Sequence, residues 1–192
     1  MPTKPHHFRI IAGRFRSRQL QIPEHIAVRP TLNRIRETLF NWLMNDIQDA
    51  ICLDAFAGSG ALGLEALSRG AEHVYFIEKE RTVLQALEKN IALLNTEGSE
   101  LILGSMPECL AVGEFKKIDI VFLDPPFHQD LILPALQALQ QSELLKPESL
   151  IYFEVEREFK LPEKLDANWE ILKYKKAGKV AYGLLSPAYL TR

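Results

Sequence analysis

Residues 51–63 constrain the fold of this 192-residue chain more than any other stretch. Ile51-Cys52-Leu53 is apolar, Asp54 closes the run, and Gly58-Ser59-Gly60-Ala61-Leu62-Gly63 follows. An apolar strand that breaks into closely spaced glycines and then a small-residue helix is a strand–turn–helix unit. The same alternation continues downstream. Strands are expected at residues 51–56, 73–78, 101–103, 118–123 and 150–155, and helices at 61–68, 81–94 and 131–141. Residues 107–112 fit a short helix with Pro107 at an early position, where its missing N–H costs nothing. Residues 169–175 and 180–186 read as a final antiparallel pair turning at Gly178. Strands that are apolar throughout and separated by helices imply a parallel sheet covered on both faces, so the expected class is α/β.

The glycines satisfy the G-x-G-x-x-G pattern, which lets a ligand approach the backbone in front of a helix N-terminus. Alone, the pattern fits a nicotinamide dehydrogenase, a methyltransferase or a purely structural turn. Asp54 and Glu78 separate these. A carboxylate at Asp54 would repel a pyrophosphate, but suits S-adenosylmethionine, which carries an ammonium and a cationic sulfur. Glu78 ends the next strand, where a carboxylate accepts both ribose hydroxyls.

The second feature is Asp124-Pro125-Pro126-Phe127, again after an apolar strand. Two prolines fix the backbone and remove two amide donors. The Asp124 carboxylate and the carbonyls of Asp124 and Pro125 remain as acceptors. Such a turn suits an exocyclic NH₂ on a base. Acceptors that bind its hydrogens favour the pyramidal nitrogen, whose lone pair then points at a methyl group. Phe127 supplies a ring for stacking, a contact of about 1–3 kcal/mol per base.

Charge places the acceptor. Residues 1–36 carry eight Lys/Arg and one acid, net +7, whereas the remainder carries fifteen bases and twenty-four acids, net −9. Such a block is often a solvated face, but here Phe8, Phe15 and two histidines are interleaved, which points to a polyanion-binding arm. Residues 8–11 and 19–22 are short strand candidates around Gly13 and Ser17, giving a β-hairpin that displays Arg14, Arg16 and Arg18. Arg29-Pro30-Thr31 is an extended entry to an amphipathic helix at 33–46, capped by Thr31 or Asn33, with Ile35, Leu39, Trp42, Leu43 and Met44 recurring at helical spacing. Phe40 and Trp42 read as core packing. Arg34 and Arg36 oppose the helix dipole, which suggests phosphate contact, with a salt bridge to Glu37 or Asp46 as the alternative. With Arg9 and Arg29 they complete the candidate RNA-binding set.

The expected division is a basic arm at residues 1–30 and one catalytic domain at 31–192. No run is apolar enough to cross a bilayer, the first residues lack a secretory segment, and two cysteines make neither a disulfide framework nor a zinc cluster. Cys52 reads as a buried free thiol, no metal-ligand spacing is seen, and a cytoplasmic location is expected.

Asp54 to Gly60, Glu78 and Asp124 to Phe127, in this order, resemble the class I S-adenosylmethionine-dependent methyltransferases that act on amino groups. Residues 29–31, 34–43, 54–69 and 178–182 narrow the resemblance to the bacterial RsmD-type enzymes, which methylate guanine N2 in 16S ribosomal RNA. It covers nearly the whole chain from Phe8. It implies a Rossmann-like, seven-stranded, mostly parallel sheet with a small N-terminal hairpin. It implies S-adenosylmethionine as donor, S-adenosylhomocysteine as product, and a substrate that is the small ribosomal subunit or its assembly intermediate. It places Asp54, Phe56, Gly58, Ser59, Gly60 and Glu78 on the donor, and residues 124–127 at the reacting nitrogen. The expected enzyme is a monomer without a membrane partner. One departure stands out: many members carry an acidic or amide residue after the third strand, where this chain has Leu103-Gly104-Ser105-Met106. Ser105 is then the expected adenine partner and Met106 its packing surface. A DNA adenine-N6 methyltransferase uses the same turn, and an RNA-binding assembly factor could retain the fold without the chemistry.

Overall fold

The computed structural model describes residues 6–22, 32–111 and 113–190. The extended entry with Arg29 and Thr31 lies outside the described residues. The chain opens with β1 (His6–Arg9) and β2 (Gln19–Ile22), an antiparallel hairpin with Phe8 opposite Leu20. β1 ends earlier than the apolar pattern suggested, because Glu65 takes over the backbone. Its carboxylate accepts the N–H groups of Ile11 at 2.8 Å and Ala12 at 3.0 Å, which draws the chain away from the ladder.

Helix α1 (Leu32–Trp42) ends four residues short of the expected span. Turns then return the N–H groups of Asp46 and Ile47 to the Leu43 carbonyl, each at 3.0 Å. Leu43 and Ile47 stay buried, whereas Met44, expected on the apolar face, is rotated out to 68% exposure.

The main sheet contains β3 (Ile51–Asp54), β4 (His73–Glu78), β5 (Ser99–Leu103), β6 (Ile118–Leu123), β7 (Leu145–Glu156), β8 (Trp169–Ala177) and β9 (Val180–Pro187). Their order is β5-β4-β3-β6-β7-β9-β8. The first five are mutually parallel, and β9 runs antiparallel to both β7 and β8. Helices α2 (Ala61–Ser68), α3 (Arg81–Leu94) and α4 (Ile132–Gln141) are the crossovers. The expected short helix at 107–112 is a 3₁₀ turn at Glu108–Ala111. Among the described residues no helix is long and apolar enough to cross a membrane.

Strand residues alternate between two cores. Cys52, Phe76, Phe122, Tyr152 and Tyr182 face α1, α2, α3 and the hairpin. Leu53, Ile77, Val121, Phe153 and Leu185 face α4. The hairpin has no core of its own: Phe8, Ile10, Phe15, Leu20 and Ile22 join the first cluster. Burial in that layer pushes the Cys52 thiol well above its usual range.

Arg36 departs from its expected surface role. It is 2% exposed, with its Nη2 donating to the Arg9 carbonyl and to Asn33 Oδ1. Its Nε lies 3.9 Å from Glu65 Oε2 and its guanidinium covers the Phe8 ring at 5.5 Å. Arg36 therefore ties the hairpin to α1 instead of meeting RNA. Glu65 is its counterpart, fully buried and also accepting from Arg69 Nε at 2.7 Å. Buried charges persist only when paired in this way.

Candidate active site

A cavity of about 630 Å³ opens at the carboxyl ends of β3, β4, β5 and β6. This is where an open α/β sheet changes crossover direction and leaves a crevice. Its floor is Asp54, the last residue of β3 and 2% exposed. One carboxylate oxygen accepts the Gly63 N–H at 3.0 Å. Gly63 lies in the first turn of α2, whose start at Gly60 has no side-chain cap. Asp54 thus supplies from the strand the anion that the helix N-terminus favours. Burial outweighs this bond and, with the nearby Glu78, pushes the Asp54 carboxyl up to about 7. A group so placed is stabilised as a carboxylate by a cation.

The glycine turn wraps this acid. Gly60 has φ +78, and a Cβ there would lie 2.3 Å from Leu87 Cδ1. A Cβ on Gly63 would lie 2.2 Å from the Phe76 ring. The turn is held by Glu78, whose two oxygens accept the N–H groups of Gly58 and Glu80, each at 2.9 Å. Each oxygen retains the capacity to accept a further hydrogen bond.

The remaining walls place the other candidates. Phe56, Gly58, Ser59, Ser105 and Met106 line the cavity, as do Asp124, Pro125 and Pro126. Gly60 and Phe127 do not: Gly60 shapes the turn from behind, and the Phe127 ring packs against the first core cluster. Ser105 Oγ donates to Glu108 Oε2 at 2.7 Å, holding the Glu108 carboxyl below its usual range. Glu108 also lines the cavity. An acid thus reaches the cavity from the turn after β5, and its offset from the strand end hid it from sequence reasoning.

The cavity walls hold Asp54, Glu78, Glu80, Glu108 and Asp124 against a single lysine, Lys79. Such a field favours a cationic ligand and opposes a pyrophosphate. The donor set thus fits S-adenosylmethionine and not a nicotinamide dinucleotide. The expected RNA contacts are not gathered here. Arg9, Arg14, Arg16, Arg18 and Arg34 are exposed. The Arg14 N–H donates to the Ser68 carbonyl at the far end of α2, one helix length from the glycine turn.

Residues 8–186 match the family described as Conserved hypothetical protein 95. A protein of Escherichia coli (strain K12), Ribosomal RNA small subunit methyltransferase D, is 46% identical over 186 residues, covering 94% of this chain and 93% of its own length. The chain belongs to this methyltransferase D family. The protein of that name from Haemophilus influenzae is 45% identical over 188 residues, with 95% of each chain covered. A solved structure titled putative methyltransferase yhhF, from Escherichia coli, superposes with a TM-score of 0.85 at 43% identity, covering 95% of this chain and 98% of its own. The seven-stranded sheet described above is thus the class I methyltransferase sheet, and methyl transfer is the reaction class of the family.

Proposed function

We propose that the chain transfers a methyl group from S-adenosylmethionine to the exocyclic N2 of a guanine in 16S ribosomal RNA, acting as a monomer on the small subunit or its assembly intermediate in the cytoplasm. The observation that carries this reading is the sharing of one cavity by the buried Asp54 floor and the Asp124-Pro125-Pro126 wall. The names of the methyltransferase D relatives supply the ribosomal RNA.

Asp54 pairs with the donor ammonium and Glu78 accepts the ribose hydroxyls. Glu108, oriented by Ser105, takes the adenine amino group, with Met106 packed beneath the ring. The bound donor supplies a methyl group on a sulfonium, which is already an activated leaving group. The chain's task is then alignment, which supplies much of the rate. Asp124 and the Pro125 carbonyl accept the two N2 hydrogens and turn the nitrogen lone pair towards the methyl group. As the N–C bond forms, the methyl–sulfur bond would break with its electron pair going to sulfur, leaving S-adenosylhomocysteine, and the surplus proton on N2 would pass to the Asp124 carboxylate. Phe127 borders the turn and stacks on the base once the loop closes on it.

The test is labelled donor with small subunits from cells lacking the enzyme, followed by mass-spectrometric mapping. Label on guanine N2 of 16S ribosomal RNA is expected. Label on protein, or higher activity on naked duplex DNA than on subunits, overturns the assignment.

A further inference from the structure

Two stretches outside the cavity meet beside it, where half-buried Trp42 covers the buried Tyr182. Trp42, which ends α1, stacks on Tyr182 of β9 with ring centroids 5.6 Å apart and planes 26° apart. Lys175 of β8 holds its Nζ 5.5 Å from the centre of the same Trp42 ring. The sheet register aligns this group with the catalytic turn. Leu123 pairs with Phe153, so Asp124 follows beside Glu154; Glu154 pairs with Tyr182, and Tyr182 with Lys175. One row across the sheet therefore reads Asp124, Glu154, Tyr182, Lys175. At about 4.8 Å per strand it spans about 14 Å. Lys173 lies two residues before Lys175, pairs with Leu184 and shares its face. Both lysines are exposed on β8, the outermost strand.

We propose that the surface along this row, where half-buried Trp42 and exposed Lys173 and Lys175 lie beside the buried Glu154 and Tyr182, holds single-stranded RNA flanking the target guanine, with Trp42 contacting a neighbouring base and the two lysines contacting phosphates. The inference rests on the reading of RNA as substrate. Its physical basis is the field of the cavity. Walls carrying five acids repel a phosphate backbone, so a target base enters only if its own strand is held by cations outside. Residues 169–180 provide them, with four lysines and one acid in a chain whose net charge is −2. Aromatic rings beside cations along a groove are the usual means of holding a single strand without reading its sequence. Lysines on an edge strand also block edge-to-edge pairing. That role accounts for the lysines and core packing accounts for the Trp42–Tyr182 stack, but neither places a lysine over the half-buried Trp42 ring in line with Asp124.

Two full-length variants test the track. The chain has two tryptophans, so Trp169→Phe leaves Trp42 as the sole tryptophan, excited selectively at the red edge of the absorption band. Titration with a short single-stranded RNA should quench it. Lys173→Gln/Lys175→Gln should weaken binding to small subunits about tenfold or more near 0.1 M salt, and lower the logarithmic salt slope by about 1.4, the share of two single-strand phosphates. Donor binding, measured by calorimetry, should match that of the parent and certifies the fold. Unquenched Trp42 with an unchanged slope overturns the track and leaves the lysines as edge protection, which light scattering then reports as self-association of the double variant. A parent protein that neither binds nor methylates subunits overturns the substrate reading itself, a result distinct from failure of the track.

Discussion

Replacing Asp54 by asparagine should stabilise the fold in a strongly pH-dependent way while removing its use. Asp54 is 2% exposed, and burial raises its carboxyl from 3.8 in the unfolded chain to about 7. Because the folded pKa is the higher one, ionisation favours the unfolded chain. Stability is intact below pH 3.8, declines as pH rises towards about 7, and is constant above that. At about 1.4 kcal/mol per pH unit, the loss at pH 8 is about 4 kcal/mol. Asparagine escapes this loss, because its carbonyl still accepts the Gly63 N–H and it carries no charge. Its NH₂ group brings a cost of about 1–3 kcal/mol if left unpartnered, but that cost does not vary with pH. Urea unfolding of donor-free protein at a series of pH values isolates the ionisation. The variant should gain about 4 kcal/mol on the parent between pH 4 and pH 8, and at pH 8 it should lose donor binding by calorimetry. A stability difference that stays flat within about 1 kcal/mol across that range refutes the reasoning, because a partner would then already neutralise Asp54. The same titration makes donor affinity in the parent rise with pH up to about 7, since a cation binds the carboxylate and not the acid.

Asp124→Ala should abolish turnover while leaving donor affinity within a few fold; single-turnover assays and calorimetry separate the two, and equal losses in both would place Asp124 on the donor instead. Replacing Arg14, Arg16 and Arg18 together should weaken RNA binding and flatten its dependence on salt, and an unchanged slope removes the hairpin from the interface. Glu65→Ala orphans the N–H groups of Ile11 and Ala12 and leaves Arg36 buried without its ion-pair partner. A loss of about 3–5 kcal/mol is expected in urea unfolding, with early hydrogen exchange in the hairpin, and a loss below about 1 kcal/mol would deny Glu65 that role.

The acids and glycines that line the cavity were legible because they are local. Asp54 and Glu78 end apolar strands, and the glycines sit between the first strand and its helix, so a few residues carry the pattern, the charge and the turn. The acceptor turn was legible for the same reason, as two prolines permit few backbone forms. Arg36 misled because an arginine near the start of a helix reads as surface, and Glu65 and the Arg9 carbonyl, brought in from other elements, bury it. Glu108 was hidden because a 3₁₀ turn, not spacing along the chain, returns it to the cavity beside Ser105.

The alternation of strands and helices, the glycine turn between strand-end acids and the proline turn were all legible in the sequence alone. Each follows from periodicity and residue type within a short stretch. Tertiary packing decides which charges are buried among structural contacts and which stand exposed. Arg36 and Lys175 look alike as basic residues in a chain. The first is drawn under the hairpin by a buried carboxylate, and the second stands on the free edge of the sheet over a tryptophan. That difference depends on strand order and helix packing, which bring together groups far apart along the chain.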